Sequence, residues 1–183
     1  MQRRELLPVL AAWLARPALA CYPDTARLND ADLAVFTPMS RLIAQATTLA
    51  LYEGLPRRNF EHDLYGRELA TQKTTRIRDY AFYAQPLVVA QADLVRLRYT
   101  SARTDSYCSW GGPKLCGGYH PDYCLEWRAR DSVCQLLMCF HCQEMKLYRG
   151  EAQLLLDVRD GAARELRSTL VAYVRRRPRS PHG

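Results

Sequence analysis

The chain has 183 residues, 48% of them hydrophobic and 25% charged, with a formal net charge of +7. That length suits one domain with an ordinary apolar core, so the seven cysteines are an addition to the fold and not a condition of it. No apolar run reaches the roughly 18 to 20 residues of a membrane-spanning helix, which excludes a multi-pass membrane protein.

Residues 1–20 read as an export signal. Arg3 and Arg4 give a positive start, Leu6 to Ala15 is apolar, and Ala18-Leu19-Ala20 has the small residues that precede cleavage. Cys21 would then be the first residue of the processed chain, the position where a bacterial lipoprotein carries its lipid. The competing reading is an amphipathic first helix, because Leu6, Leu10, Trp13 and Leu14 share one face. Export places the protein in the periplasm or cell envelope, with contact to a membrane only through that anchor; the alternative is the cytoplasm.

From Cys21 to Arg177 the pattern predicts a single α+β domain, closed by a disordered tail over 178–183. Thr37 and Pro38 mark a helix start, Met39, Leu42, Ile43, Ala46, Leu49 and Ala50 form its apolar stripe, and Gly54 stands as its stop. A break at Leu55-Pro56-Arg57-Arg58 is followed by a helical pattern from Glu61 to Gln72, an extended stretch from Ile77 to Tyr83, and a helix from Ala92 to Ala102. After a loop rich in glycine, two β-type runs, Tyr119 to Arg128 and Val133 to Tyr148, are expected to form a hairpin over about 119–148 that turns near residue 129. Leu154 to Val158 is a third strand, and Ala162 to Arg175 a final helix behind the sheet. The basic run Arg175 to Arg177 with Arg179 closes that helix, where the macrodipole favours cations. Without basic and aromatic residues interleaved on one face, nucleic acid is disfavoured as a partner.

Six of the seven cysteines lie between Cys108 and Cys142, together with His120 and His141. A hairpin turning near residue 129 sets Cys124 opposite Cys134, within disulfide reach, and sets Cys116 opposite Cys142. The same atoms offer a competing use, since Cys116, His120, Cys139 and Cys142 are a Cys3His set suited to tetrahedral zinc. That use requires the strand to break into a knuckle at Phe140 and His141. A third use is thiol redox chemistry by the Cys139-Phe140-His141-Cys142 pair, but no helix start follows to lower a thiol pKa. His120 with Asp122 and His141 with Glu144 are neighbours without any nucleophile motif.

The segments CGGYHPDYCLEW, LLMCFHCQEMKLY and LVAYVRRRP, with LYEGLPRRNFE upstream, resemble a family of uncharacterised bacterial proteins, often exported, that share CGG(F/Y)HPDY and CFxCxE segments. The likeness covers roughly residues 48 to 178. It singles out Glu53, Gly54, Leu55, Pro56, Cys116, His120, Asp122, Cys139, Cys142 and Glu144, and leaves Cys108, Cys124 and Cys134 outside the shared set. It implies no activity. It does imply a second role for Glu53 to Pro56: a loop that packs beside the cysteine strand and brings Glu53 or His62 near Cys139.

These readings combine into an exported or lipid-anchored envelope protein, a binding or structural module without enzymatic turnover. It would be organised by disulfides or by a Cys3His zinc site, with no other cofactor. The alternative is a thiol-disulfide redox protein using Cys139 and Cys142.

Overall fold

The computed structural model describes residues 27–115, 117–174 and 177–178. The expected signal segment, Cys21, Cys116 and most of the expected tail lie outside the described residues. The domain is α+β: a six-stranded sheet in which every neighbouring pair is antiparallel, with helices on one face and a small hairpin on the other. Among the described residues no helix is long and apolar enough to cross a membrane.

Helix α1 spans Asp30–Gln45, earlier than expected at both ends. Asn29 caps it by accepting the Asp32 N–H at 2.8 Å, with Asp30 and Asp32 in the first turn where the dipole favours acids. Pro38 is therefore inside the helix, held there by Phe36, Met39, Leu42 and Ile43, all buried. The residues expected to continue it form strand β1, Thr48–Glu53, because Leu49, which fits the helical stripe, also fits a two-residue period with Leu51. Gly54 is not a helix stop. A Cβ there would lie 2.1 Å from the Pro121 carbonyl oxygen, and the Gly54 N–H donates to the Asp122 carbonyl at 2.8 Å, so glycine permits two backbones to touch.

Helix α2 (His62–Thr71) follows, and the expected extended stretch is a hairpin, β2 (Thr74–Ile77) with β3 (Tyr80–Tyr83), turning at Arg78 with φ of 56°. Helix α3 covers Gln91–Ala102, and β4, Tyr107–Ser109, is an edge strand.

The cysteine-bearing half differs from the expected hairpin in register. Strand β5 (Tyr123–Ala129) and β6 (Ser132–Cys139) turn at Arg130-Asp131, which pairs Cys124 with Leu137 and Trp127 with Cys134. A turn placed about one and a half residues too early changes the parity of the pairing, which moves side chains to the other face. Cys124 packs with Ile77, Phe82 and Leu137 under the β2–β3 hairpin, whereas Cys134 joins the core beneath the helices. The expected Cys124–Cys134 bridge is thus excluded: both thiols are free and lie on opposite faces.

The second β run is two strands. It breaks after Cys139 into a turn over 140–143, with Gln143 at φ of 52°, and resumes as β7, Glu144–Arg149. Strand β8 is Ala152–Val158 and the last helix, α4, is Asp160–Leu170, shorter than expected. The sheet runs β1-β5-β6-β7-β8-β4. Its helix side buries Leu125, Trp127, Leu136, Met138, Met145, Leu147 and Leu156 against α1 and α4 residues such as Ile43 and Leu166.

Candidate functional site

The break after Cys139 creates the site. Leaving β6, the chain folds back through Phe140 to Gln143, and the Cys142 N–H points at the Cys139 sulfur, 3.4 Å away. The backbone N–H of His120 reaches the same sulfur. These donors favour a thiolate, but burial outweighs them and pushes the Cys139 thiol above its ordinary value. No helix begins at this thiol, so the usual source of a reactive low-pKa cysteine is missing. Cys142 is disulfide-bonded, while Cys108, Cys124, Cys134 and Cys139 are free. The Cys142 sulfur lies 3.9 Å from the Gly118 carbonyl oxygen.

Asp122 pins the turn to the upstream loop. Its Oδ2 accepts the Phe140 N–H at 2.8 Å, and its Oδ1 accepts from the Arg177 Nη1 at 2.9 Å with the Arg57 guanidinium 3.8 Å away. Burial alone would raise this carboxyl; Arg177, the Phe140 N–H and Arg57 outweigh it and hold the group below the usual carboxylate range. Arg177 also donates to the Gly54 carbonyl at 3.1 Å, and its backbone N–H reaches Glu53 Oε1 at 3.3 Å. The Glu53-Gly54-Leu55 segment is therefore drawn against the 120–122 segment. His62 is not part of this: its ring is exposed, 3.5 Å from Asp63.

His120 lies on the floor of a hollow of about 220 Å3 that Cys139, His141, Arg57 and Phe60 also line. Burial pushes its imidazole down to about 4, with Asp122 pulling weakly the other way, so the ring is neutral at ordinary pH. The Leu55 backbone also pulls it weakly upward, and Nε2 is buried without a partner among the described residues.

A second polar cluster fastens the loop that precedes Cys116. Lys114 Nζ lies 2.6 Å from Asp157 Oδ1, 2.7 Å from the Cys142 carbonyl oxygen and 3.8 Å from Glu144 Oε1. Trp110 Nε1 donates to Glu144 at 2.9 Å and the Gly111 N–H to Asp157 at 3.0 Å. All three charged side chains are largely buried, a costly arrangement that persists because every carboxylate is paired.

Of the residues expected at a site, the fold brings His120, Asp122, Cys139, Cys142 and the Glu53-Gly54-Leu55 segment together, and links Glu144 through Lys114 and the Cys142 carbonyl. Cys124 and Cys134 are elsewhere, and Cys116 and Cys21 lie outside the described residues. Among the described residues no group of three or more histidine, cysteine or acidic side chains is placed to hold a metal ion. Sequence reading missed Arg57, Lys114, Trp110, Asp157 and the clamping role of Arg177. Their partners stand as much as 124 residues away along the chain, and no local spacing signals them. No family model, no curated protein and no solved structure matches this chain.

Proposed function

We propose that this protein is a binding or structural module of the cell envelope, without enzymatic turnover, in which Cys142 is bridged to Cys116. The observation that carries the reading is the state of the thiols. Cys142 is disulfide-bonded, the four other described cysteines are free, and the Cys142 sulfur sits beside the carbonyl of Gly118, two residues from Cys116. A disulfide persists in oxidising compartments such as the periplasm, which agrees with a signal over residues 1–20 and a lipid on Cys21. The bridge would tie the loop held by Lys114 to the turn held by Asp122, and so fix one wall of the hollow around His120.

The test is a peptide map of the purified protein, digested with and without reductant, together with metal analysis. A linked Cys116–Cys142 peptide, no bound zinc and alkylation of Cys139 only after unfolding are expected. Stoichiometric zinc with Cys116, Cys139 and Cys142 all reduced would replace this reading with the Cys3His site that includes His120. One observation favours a redox reading instead: the N–H of Cys142 approaches the Cys139 sulfur in a C-x-x-C turn. In that case Cys139 would alkylate rapidly in the folded protein, and a Cys139–Cys142 peptide would form.

A further inference from the structure

Two hollows adjoin along one side of the molecule, and Arg57 lines both. The first, of about 220 Å3, is lined by His120, Cys139 and His141; the second, of about 280 Å3, by Asp122, Tyr123 and Phe140. The 120–123 and 139–141 segments therefore form the ridge between them. Four guanidiniums face this pair of hollows, Arg57 and Arg58 in the first and Arg57, Arg167 and Arg177 in the second, against two carboxylates, Asp79 and Asp122. Asp122 is already engaged by Arg177 and Arg57. Arg58 and Arg167 have no carboxylate partner among the described residues, so the surface carries an unanswered positive charge on each side of the ridge.

The remaining lining shows what accompanies the negative charge. Phe60 is 62% exposed at the first rim, and Tyr65 and Tyr80 line the same hollow. Val171 and Val174, both exposed, give the second hollow an apolar surface, while Phe140 is buried beneath the Arg167 guanidinium, 4.7 Å from its ring centroid. Such faces suit the C–H side of a sugar ring. The Asp79 carboxylate in the first hollow is an acceptor, and an acceptor requires donors from its ligand. A phosphodiester backbone offers few donors, whereas hydroxyl groups supply them. Each hollow is smaller than the 300 to 1,000 Å3 or so of a drug-sized site, which suits one ring in each.

We propose that the paired hollows bind an acidic oligosaccharide of at least two rings, with carboxylate groups on Arg58 and Arg167 and ring faces on Phe60 and on the exposed Val171 and Val174. This rests on the binding-module reading but not on the identity of the bridge. The test is calorimetric titration of the full chain with trigalacturonate at low salt, with maltotriose, oligothymidylate and polyphosphate as comparisons. Trigalacturonate should bind, weaken about tenfold in Arg58→Ala through loss of a charge-assisted pair, and weaken again as salt screens the site. Maltotriose should not bind. Phe60→Ala should weaken trigalacturonate while leaving the melting temperature unchanged, and this exposed residue is a second probe should Arg167→Ala fail to fold. Absence of trigalacturonate binding at millimolar concentration, equal binding of maltotriose, or tighter binding of oligothymidylate or polyphosphate would overturn the proposal. A wrong bridge would show in the peptide map, and a wrong ligand in this titration.

Discussion

On the face of the sheet covered by α1 and α4, Leu125, Trp127, Leu136, Met138, Leu147 and Leu156 meet other apolar groups, and any residue of similar volume would serve nearly as well. At the end of β6 and on the opposite face, Asp122, Arg177, Lys114, Glu144 and Asp157 meet a few specific polar partners, and substitution leaves a buried charge unanswered. The first region is held by area and the second by matching. Only the second provides a place where a ligand could be told apart from its neighbours, and it is also the region where removing one group harms several others.

The largest expected effect belongs to the region held by area. Trp127 is fully buried in the helix-side core, and Trp127→Ala should cost about 3 to 5 kcal/mol through lost burial and a residual cavity. Urea unfolding would show it as a lower midpoint with an unchanged slope. A cost below about 1 kcal/mol would mean that the helix-side core does not carry the fold.

Acid probes the region held by matching. The His120 imidazole has an ordinary value of 6.5 and is pushed down to about 4 in the folded chain by burial. Between those two values the unfolded chain takes up a proton that the folded chain refuses, so stability falls as pH falls through this window and is complete above it. The loss is at most about 3 kcal/mol. Asp122 acts lower on the scale: its folded carboxyl is depressed, so its contribution is present above the ordinary carboxylate range and is lost as pH falls through the folded value. Urea midpoints measured from pH 7 to pH 4 should decline in the parent protein and decline less in His120→Gln. Parallel profiles would remove His120 as the cause.

Where the two regions touch, Gly54→Ala is the sharper probe. Its added methyl would meet the Pro121 carbonyl at 2.1 Å, a backbone atom with no rotamer to yield, so a cost of about 1 to 3 kcal/mol is expected. Thermal melting would register it, and nearby Glu53 and Arg177 should loosen together, since Arg177 donates to the Gly54 carbonyl.

How far each region could be read from the sequence follows the same division. Alternation and helical spacing locate α2, α3, β8 and most of the residues facing the helices, because area leaves a periodic trace. They mislocate α1, whose Pro38 reads as a start, and they run β1 into it because Leu49 fits both the helical stripe and a two-residue period with Leu51. Of the ten positions singled out by resemblance, Glu53, Gly54, His120, Asp122, Cys139 and Cys142 lie along the turn held by Asp122 and Arg177, Glu144 stands one link away through Lys114, and Cys116 lies outside the described residues. The partners that hold them do not show, because Lys114 with Asp157 and Arg177 with Asp122 are chosen by topology and not by spacing. Register is the most fragile reading of all, since moving one turn inverted the faces of a whole strand pair.

That inversion supplies the smallest and most specific prediction. Were Cys124 and Cys134 bridged, replacing either would break the same bond, and the double variant would cost no more than a single one. As free thiols on opposite faces, each loses only its own packing, about 1 kcal/mol for Cys→Ala. The two losses should add within about 0.5 kcal/mol. Cys134 carries the added mark of a buried thiol pushed up to about 12, so it should resist alkylation in the folded protein as Cys124 does. A double-variant cycle by urea unfolding, repeated with reductant, separates the cases: non-additive costs that vanish on reduction would restore the bridge and with it the other register, and additive costs indifferent to reductant place the two thiols where the sheet puts them.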